Sequence, residues 1–350
     1  MPTPSSRALA FALCMASATA EPSACLAGHL LPTVLLVGGQ KCGSTSLHTD
    51  LVRRLEGLVH VSPGKGISGS GNKEVAYYNN DARYAKGRAW YTSLFPECPG
   101  PGHGRTVAID STPMAHMHGT SARVYETIPP RLRPQLRIIL IVRNPIDRLW
   151  SYHGHFKNSE PVDDFVATVL TNTSRCASNQ GIDPRSNGLF GALCVPESVR
   201  GGLYAGQLAE WVGAFSAEQV ALVSFHGYVG LPHRVLSDLG KFIGLPLITY
   251  RVRMLAKRKQ GRARRELKAW PREQGDVKKQ KNPWREAVRL NARDNAPMSQ
   301  SSRNALESFY APHNAWLLRM LKLPKYVKLV SSPVAPASAF TLDSLLSVSK

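Results

Sequence analysis

Residues 33–47 read TVLLVGGQKCGSTSL, and this stretch is the most informative part of the sequence about the fold class. Its first five residues are β-branched or leucine, and Pro32 and the Gly38, Gly39 pair bound them, a composition typical of a buried parallel strand. A helical pattern follows over residues 45–55. Glycines at such a junction allow a tight turn whose free amides, with the helix dipole, favour a bound phosphate. The stretch therefore predicts a phosphate-binding loop at the tip of a parallel strand.

This loop differs from the P-loop of nucleoside-triphosphate enzymes. Gly38 and Gly43 are separated by four residues, as in the pattern G-x-x-x-x-G-K-[ST]. Ser44, however, stands in the place of the lysine, and Lys41 lies earlier, inside the loop. This displacement argues against an ATPase or a kinase.

Three further apolar stretches predict strands, and helix-compatible stretches separate them. They are residues 106–110 (TVAID), 137–142 (RIILIV) and 220–225 (VALVSF). Apolar residues at helical spacing predict helices over 82–95, 161–170, 202–215, 235–243 and 302–321. Strands that alternate with helices form a parallel sheet covered on both faces. We therefore expect an α/β fold, a P-loop-like three-layer sandwich with a central parallel sheet flanked by helices.

The second informative stretch covers residues 137–156, RIILIVRNPIDRLWSYHGHF. Its strand ends at Arg143, and Ser151 follows eight residues later on a predicted helix. The guanidinium of Arg143 offers a fork of donors to a phosphate, and the Ser151 hydroxyl faces the same ligand. A nucleoside triphosphatase would be expected to carry an aspartate for its metal ion after such a strand. The alternative is that Arg143 and Arg148 are surface residues paired near Asp147.

Together the two stretches resemble the donor-binding motifs of sulfotransferases that use 3′-phosphoadenylyl sulfate (PAPS). The resemblance implies that Lys41 contacts the donor near its bridging oxygen and takes part in catalysis. It implies that the 5′-phosphate is cradled by Gly43, Ser44, Thr45 and Ser46. Arg143 and Ser151 would hold the 3′-phosphate at the other end of the nucleotide.

Residues 72–80, NKEVAYYNN, resemble the segment that follows the phosphate helix in heparan sulfate sulfotransferases. In those enzymes a glutamate before an aromatic pair serves as the base. By position that residue is Glu74, whose carboxylate could take the proton from an attacking hydroxyl or amine. The alternative is that Glu74 pairs with Lys73 or another neighbour on the surface.

The chain departs from the family pattern in two places. In many glycosaminoglycan sulfotransferases the strand after the base ends in Glu-Lys-Thr-Pro, whereas residues 110–113 are Asp-Ser-Thr-Pro, so a lysine on the acceptor side is missing. The family's Lys-Gly-Arg loop before the last helix appears as Asn-Ala-Arg at 291–293, which makes Arg293 a candidate for donor binding. Both changes affect the prediction of the exact acceptor more than the prediction of the donor.

The 350 residues include 44 lysines and arginines against 24 aspartates and glutamates, a formal net charge of +20. This excess favours a polyanionic acceptor, so we expect transfer to a hydroxyl or amine of a glycosaminoglycan-like carbohydrate. Alternatives are a protein tyrosine or a small alcohol as acceptor, or a basic nucleic-acid-binding protein, which would leave both phosphate loops unexplained. No metal is expected, because His, Cys and carboxylates do not cluster with ligand spacing.

The N-terminus has the features of a secretory signal peptide over residues 1–20. Arg7 precedes a short apolar run, and an A-x-A site ends just before Glu21. The run is shorter than the ~20 residues that a spanning helix needs. We therefore expect no transmembrane span in the mature chain, and a location in the Golgi lumen or outside the cell.

Cysteine spacing agrees with an oxidising compartment. Five cysteines remain after removal of the signal, so at least one stays free, and Cys176 with Cys194 is the favoured bridge because they bracket a polar loop. A glycosylation sequon begins at Asn172. We expect the sulfotransferase domain to cover residues 30–323, with a basic excursion over 251–295 and a disordered tail over 324–350.

Overall fold

The computed structural model describes residues 23–62, 73–100, 103–156, 159–247, 297–323 and 330–331. The predicted signal peptide and the predicted basic excursion, which includes Arg293, lie outside these residues. Of the predicted tail, residues 330–331 are described, and they form a short strand.

A parallel sheet forms the centre of the fold. In chain order the strands of the described residues are β1 (Cys25–Leu26), β2 (His29–Leu30), β3 (Val34–Gly38), β4 (Leu58–Val59), β5 (Val107–Asp110), β6 (Arg137–Val142), β7 (Val220–Ser224) and β8 (Val330–Ser331). β1 and β2 form an antiparallel ribbon, and the others form one parallel sheet in the order β4-β5-β3-β6-β7-β8. The four predicted strands agree with β3, β5, β6 and β7 to within one residue.

Helices flank this sheet. The α-helices of the described residues are α1 (Ser44–Arg54), α2 (Asp81–Tyr84), α3 (Gly87–Thr92), α4 (Thr120–Thr127), α5 (Pro145–His155), α6 (Val162–Asn179), α7 (Glu197–Arg200), α8 (Tyr204–Ala214), α9 (Phe225–Gly230), α10 (Pro232–Ile243) and α11 (Gln300–Leu321), with 3₁₀ turns at Pro130–Gln135, Asn187–Gly191 and Ala217–Gln219. Every residue of β3, β5 and β7 is buried, so both faces of the sheet are covered. The predicted α/β sandwich is confirmed.

Two predicted helices differ in extent from the observed ones. The helix expected over 82–95 is two short helices, α2 and α3, because Gly87, the first residue of α3, adopts a left-handed φ of 78°. The helix expected over 161–170 continues to Asn179, since Thr173, Cys176 and Ala177 are buried on its inner face. The polar composition of that second half concealed its buried face.

The sheet order brings the two predicted phosphate-binding stretches together. β3 and β6 are neighbours, with Leu36 paired to Ile139 and Gly38 paired to Leu140. The carboxyl ends of parallel strands share one edge of a sheet, and ligands bind in the crevice there. The loop after β3 and the arginine after β6 therefore face the same crevice.

Two disulfides join described segments. The favoured bridge between Cys176 and Cys194 is confirmed, and a second bridge joins Cys25 to Cys98. Cys42 is unbridged and buried in the first loop. Within the described parts of the chain, every helix is too short or too polar to cross a bilayer.

Candidate functional site

A cleft of about 480 Å³ opens at the carboxyl ends of β3, β5 and β6. Its wall contains every predicted site residue that the structure describes, which are Lys41, Gly43, Ser44, Thr45, Ser46, Glu74, Arg143 and Ser151. Arg293, the remaining candidate, lies outside the described residues. Two stretches that begin about a hundred residues apart in the sequence thus line one cavity.

The first wall of the cleft is the loop from β3 to α1. Gly43 precedes the helix with a φ of 87°, a left-handed conformation that favours glycine. A Cβ at this position would also lie only 2.7 Å from the Phe225 ring, which is a second reason for glycine here. Gly43, the residue before α1, has no side chain to cap the helix, and the first turn of α1 contains no acidic residue. The start of the helix therefore presents the positive end of its dipole, a suitable place for an anion.

Arg143 connects the second stretch to this loop. Its Nη1 donates to the Lys41 carbonyl at 3.5 Å, and its guanidinium lies 5.0 Å from the centroid of the Phe225 ring. Immediately after it, the Asn144 side chain accepts from the amides at the start of α5, whose first residue is Pro145. This cap begins α5 directly after the strand and carries Ser151 to the cleft wall.

Tyr204 of α8 contacts both stretches through its hydroxyl. Its hydroxyl accepts from the Arg143 amide at 3.4 Å and lies 3.3 Å from the Cys42 sulfur. Burial raises the pKa of the Cys42 thiol, so this cysteine stays protonated at neutral pH. Cys42 is a packing residue of the loop in this arrangement.

The alternative of a surface role for Arg148 is wrong. Arg148 is fully buried, and its Nε donates to the Gln40 carbonyl at 3.1 Å. A second guanidinium nitrogen donates to the Ser198 carbonyl. Asp147 pairs instead with Arg303 at 3.6 Å. Arg148 therefore supports the backbone of the first loop, a function that its position one turn into α5 could have suggested.

Glu74 also lines the cleft, and 29% of its side chain is exposed. The alternative partner, Lys73, does pair with it, at 2.6 Å between Nζ and Oε1. This pair does not lie on the open surface, because only 4% of the Lys73 side chain is exposed and both residues line the cleft. Lys73 also donates to the Ser44 hydroxyl at 3.4 Å.

The Asp-Ser-Thr-Pro segment, residues 110–113, hydrogen-bonds to the backbone that follows Glu74. Thr112 Oγ1 accepts from the amides of Val75 and Ala76 at 3.1 and 3.0 Å, and donates to Asp110 at 2.7 Å. The Tyr91 hydroxyl donates to the other oxygen of Asp110 at 2.9 Å. Burial raises the pKa of Asp110, and these donors oppose that shift.

A histidine and a carboxylate that were not predicted also line the cleft. His116 is 2% exposed, and its Nε2 lies 2.7 Å from Glu197 Oε1. Burial lowers the pKa of His116, whereas its hydrogen bond lowers the pKa of Glu197. A neutral imidazole therefore donates to an ionised carboxylate here. Among the described residues, no three His, Cys, Asp or Glu side chains are grouped as a metal ion would require.

His48 makes the stability of this region depend on pH. Its Nδ1 lies 2.8 Å from the Ser111 hydroxyl, and burial, with the charge of Lys73, lowers its pKa from 6.5 to about 3. Between these values the unfolded chain binds a proton that the folded chain does not. We therefore expect stability to fall as pH drops below 6.5, by at most about 1.4 kcal/mol per pH unit for this one group.

Urea unfolding of wild type and His48→Asn between pH 7 and pH 4 measures this effect. Asparagine keeps a hydrogen-bonding group near Ser111 and removes the titration, so the variant should lose stability less steeply than wild type. Exposed His103 provides the control, His103→Asn. Equal pH slopes in wild type and His48→Asn would contradict the assignment.

Comparison with known proteins identifies the family of this chain. Residues 31–282 match the sulfotransferase domain family. Bifunctional heparan sulfate N-deacetylase/N-sulfotransferase 1 of Caenorhabditis elegans is 26% identical over 216 residues, 62% of this chain and 22% of that protein. The corresponding protein 4 of Mus musculus is 25% identical over 296 residues, 83% of this chain and 30% of that protein. The chain thus spans less than a third of the length of these relatives.

Among solved structures, a sulfotransferase from Alicyclobacillus acidocaldarius has the same fold. The TM-score is 0.50 with 19% sequence identity, and the match covers 83% of this chain and 95% of that one. The family match covers well over half of the sequence, including both predicted donor-binding stretches. The chain belongs to the sulfotransferase domain family, the enzyme family that its two phosphate-binding motifs predicted.

Proposed function

We propose that this protein transfers the sulfuryl group of PAPS to a hydroxyl or amine of a carbohydrate, specifically a glycosaminoglycan-like polysaccharide. The acceptor oxygen or nitrogen forms a bond to sulfur, while the bond from sulfur to the bridging oxygen breaks. The electron pair of the broken bond stays on the 5′-phosphate of adenosine 3′,5′-bisphosphate. The acceptor proton goes to a base in the cleft. Such a transfer resembles phosphoryl transfer, in which positioning and charge stabilisation are the main contributions of the protein.

One observation carries this proposal, namely that both phosphate-binding stretches line the same cleft. Arg143 contacts the loop that contains Lys41, at 3.5 Å. The cavity volume of about 480 Å³ lies within the usual range for small-molecule sites. One nucleotide with a phosphate at each end is the ligand that this arrangement suits.

The main predicted residues have distinct roles in this transfer. Lys41 and the amides that open α1 stabilise the charge that develops on the leaving 5′-phosphate. Arg143 and Ser151 hold the 3′-phosphate and so orient the donor. Glu74, which lines the same cleft, accepts the proton of the acceptor.

The carbohydrate acceptor is supported by the relatives and by charge. The relatives are bifunctional heparan sulfate N-deacetylase/N-sulfotransferases by name, at about 25% identity. The net charge of +20 would attract a sulfated or uronate-bearing chain. Two disulfides and the exposed sequon residue Asn172 support a lumenal or secreted location. These features favour a polysaccharide over a protein tyrosine or a small alcohol.

Donor binding tests the first half of the proposal. Titration calorimetry should show that adenosine 3′,5′-bisphosphate binds the wild-type protein. Arg143→Ala should weaken this binding by about 10- to 100-fold, because it removes charge-assisted hydrogen bonds worth roughly 1.5–3 kcal/mol. Arg185→Ala, at an exposed position outside the cleft, is the matched control. Absence of binding to the wild-type protein would contradict the proposal.

An acceptor screen tests the second half. Labelled PAPS is supplied with N-desulfated and N-sulfated heparan-type chains, a tyrosine peptide and a phenol. Label should appear on the polysaccharide, and added salt should raise the acceptor KM steeply. Transfer to the peptide or phenol alone would move the proposal to the alternative acceptors. Binding of nucleic acid with no transfer to any acceptor would contradict it.

A further inference from the structure

The Lys73 ammonium is buried between two parts of the cleft. Its Nζ lies 2.6 Å from a carboxylate oxygen of Glu74 and 3.4 Å from the hydroxyl of Ser44, the first residue of α1. Only 4% of its side chain is exposed. One charged group thus joins the segment that carries the Glu74 carboxylate to the start of α1.

The backbone around Lys73 is fixed as well. Its carbonyl accepts from the amide of Ser111 at 3.3 Å, and the amides of Val75 and Ala76 donate to Thr112. Lys73 therefore cannot move away from the cleft without breaking several hydrogen bonds. Ser111 is the residue that stands where the family resemblance led us to expect a lysine, so a cation reaches this part of the site from the neighbouring segment.

Stability does not explain a lysine at this place. Removing an ammonium from water costs several kcal/mol, and a buried ion pair is often no more stabilising than apolar residues of similar volume. A lysine at the surface would avoid this cost. Its position between Glu74 and Ser44 instead suits a task in the reaction, where geometry must be held within a fraction of an ångström.

We propose that Lys73 is a positioning residue that holds the base Glu74 in register with the donor loop through Ser44. This inference rests on the proposed function. The ammonium orients the Glu74 carboxylate by one hydrogen bond and ties it to the start of α1 by another. The base is thereby held at a constant distance from the place where the 5′-phosphate is bound. Loss of this tie removes the link between the carboxylate and the start of α1 and leaves the backbone of both segments unchanged.

The test compares three lysine variants in single-turnover sulfuryl transfer and in binding of adenosine 3′,5′-bisphosphate. Lys73→Met should lower the transfer rate about 100-fold, the effect of a misplacement of about 1 Å, and change the bisphosphate Kd by less than about threefold. Lys73→Arg keeps the charge and should recover at least about tenfold of the loss. Lys241→Met removes an exposed lysine outside the cleft and should match wild type.

A double variant shows whether Lys73 acts through Glu74. In the Glu74→Gln background, Lys73→Met should cost less than about threefold, because the base that it positions is already gone. An unchanged rate in Lys73→Met, or the same loss with and without Glu74, would overturn the inference. A lower melting temperature of Lys73→Met together with no rescue by arginine would show a structural role and overturn it too. A wild-type protein that transfers no sulfuryl group would instead refute the proposed function.

Discussion

Replacing Glu74 with glutamine is expected to lower the single-turnover rate of sulfuryl transfer by about 10²- to 10⁴-fold, the contribution of a well-placed general base. Glutamine has nearly the same shape and can still accept a hydrogen bond from Lys73, which lies 2.6 Å from the carboxylate. It cannot take up the acceptor proton. The loss should therefore appear in the chemical step, with little change in the affinity for adenosine 3′,5′-bisphosphate.

Rapid-quench measurement with labelled PAPS separates this step from product release. Glu126→Gln, which changes an exposed glutamate, is the matched control and should transfer at the wild-type rate. Wild-type rates in Glu74→Gln would remove Glu74 from the role of base. The next candidate for the base would then be Glu197, which forms a carboxylate and imidazole pair with His116 in the same cleft.

Replacing Lys41 with methionine is expected to lower the transfer rate by about 10²- to 10³-fold, the cost of losing one group that stabilises developing charge. The Lys41 backbone has a left-handed φ of 66°, and its side chain lines the cleft beside the start of α1. Methionine keeps the length of the side chain and brings the same backbone preference, so the change removes mainly the charge. The effect should be larger on the rate than on binding of adenosine 3′,5′-bisphosphate.

The same quench experiment measures this effect, with Lys241→Met as the control for removal of a lysine. Lys41→Arg should retain part of the rate, because it keeps a cation near the leaving oxygen. Equal rates in wild type and Lys41→Met would show that the loop amides alone stabilise the leaving group. The donor-binding scheme would then lack a catalytic lysine at this position.

The strands were the most predictable part of the fold. A buried parallel strand is a continuous apolar run, so β6 was placed without error and β3 to within one residue. The strands β4 and β8 are two residues long, too short for any periodic pattern. The second half of α6 was missed because its composition is polar and only three of its residues reach the core.

The sequence alone was sufficient to identify the family and the fold class and to predict two donor-binding stretches, since these depend on local features. The positive φ of Gly43 and the cap made by Asn144 act within a few residues of themselves, so the motifs can be read without knowing their neighbours in space. The bridge between Cys176 and Cys194 was also accessible, because it closes a short polar loop.

The distant residues that complete the cleft could be identified only from the folded structure. Lys73 meets Ser44 across 29 positions, Glu197 meets His116 across 81, and Arg148 reaches Gln40 across 108. Hydrophobic periodicity tells which face of an element is buried, but the identity of the neighbour depends on strand order and on the angles at which helices pack. The role of a buried charged residue depends on these spatial neighbours. For this reason the sequence alone gives no sign that Lys73 and Arg148 are buried.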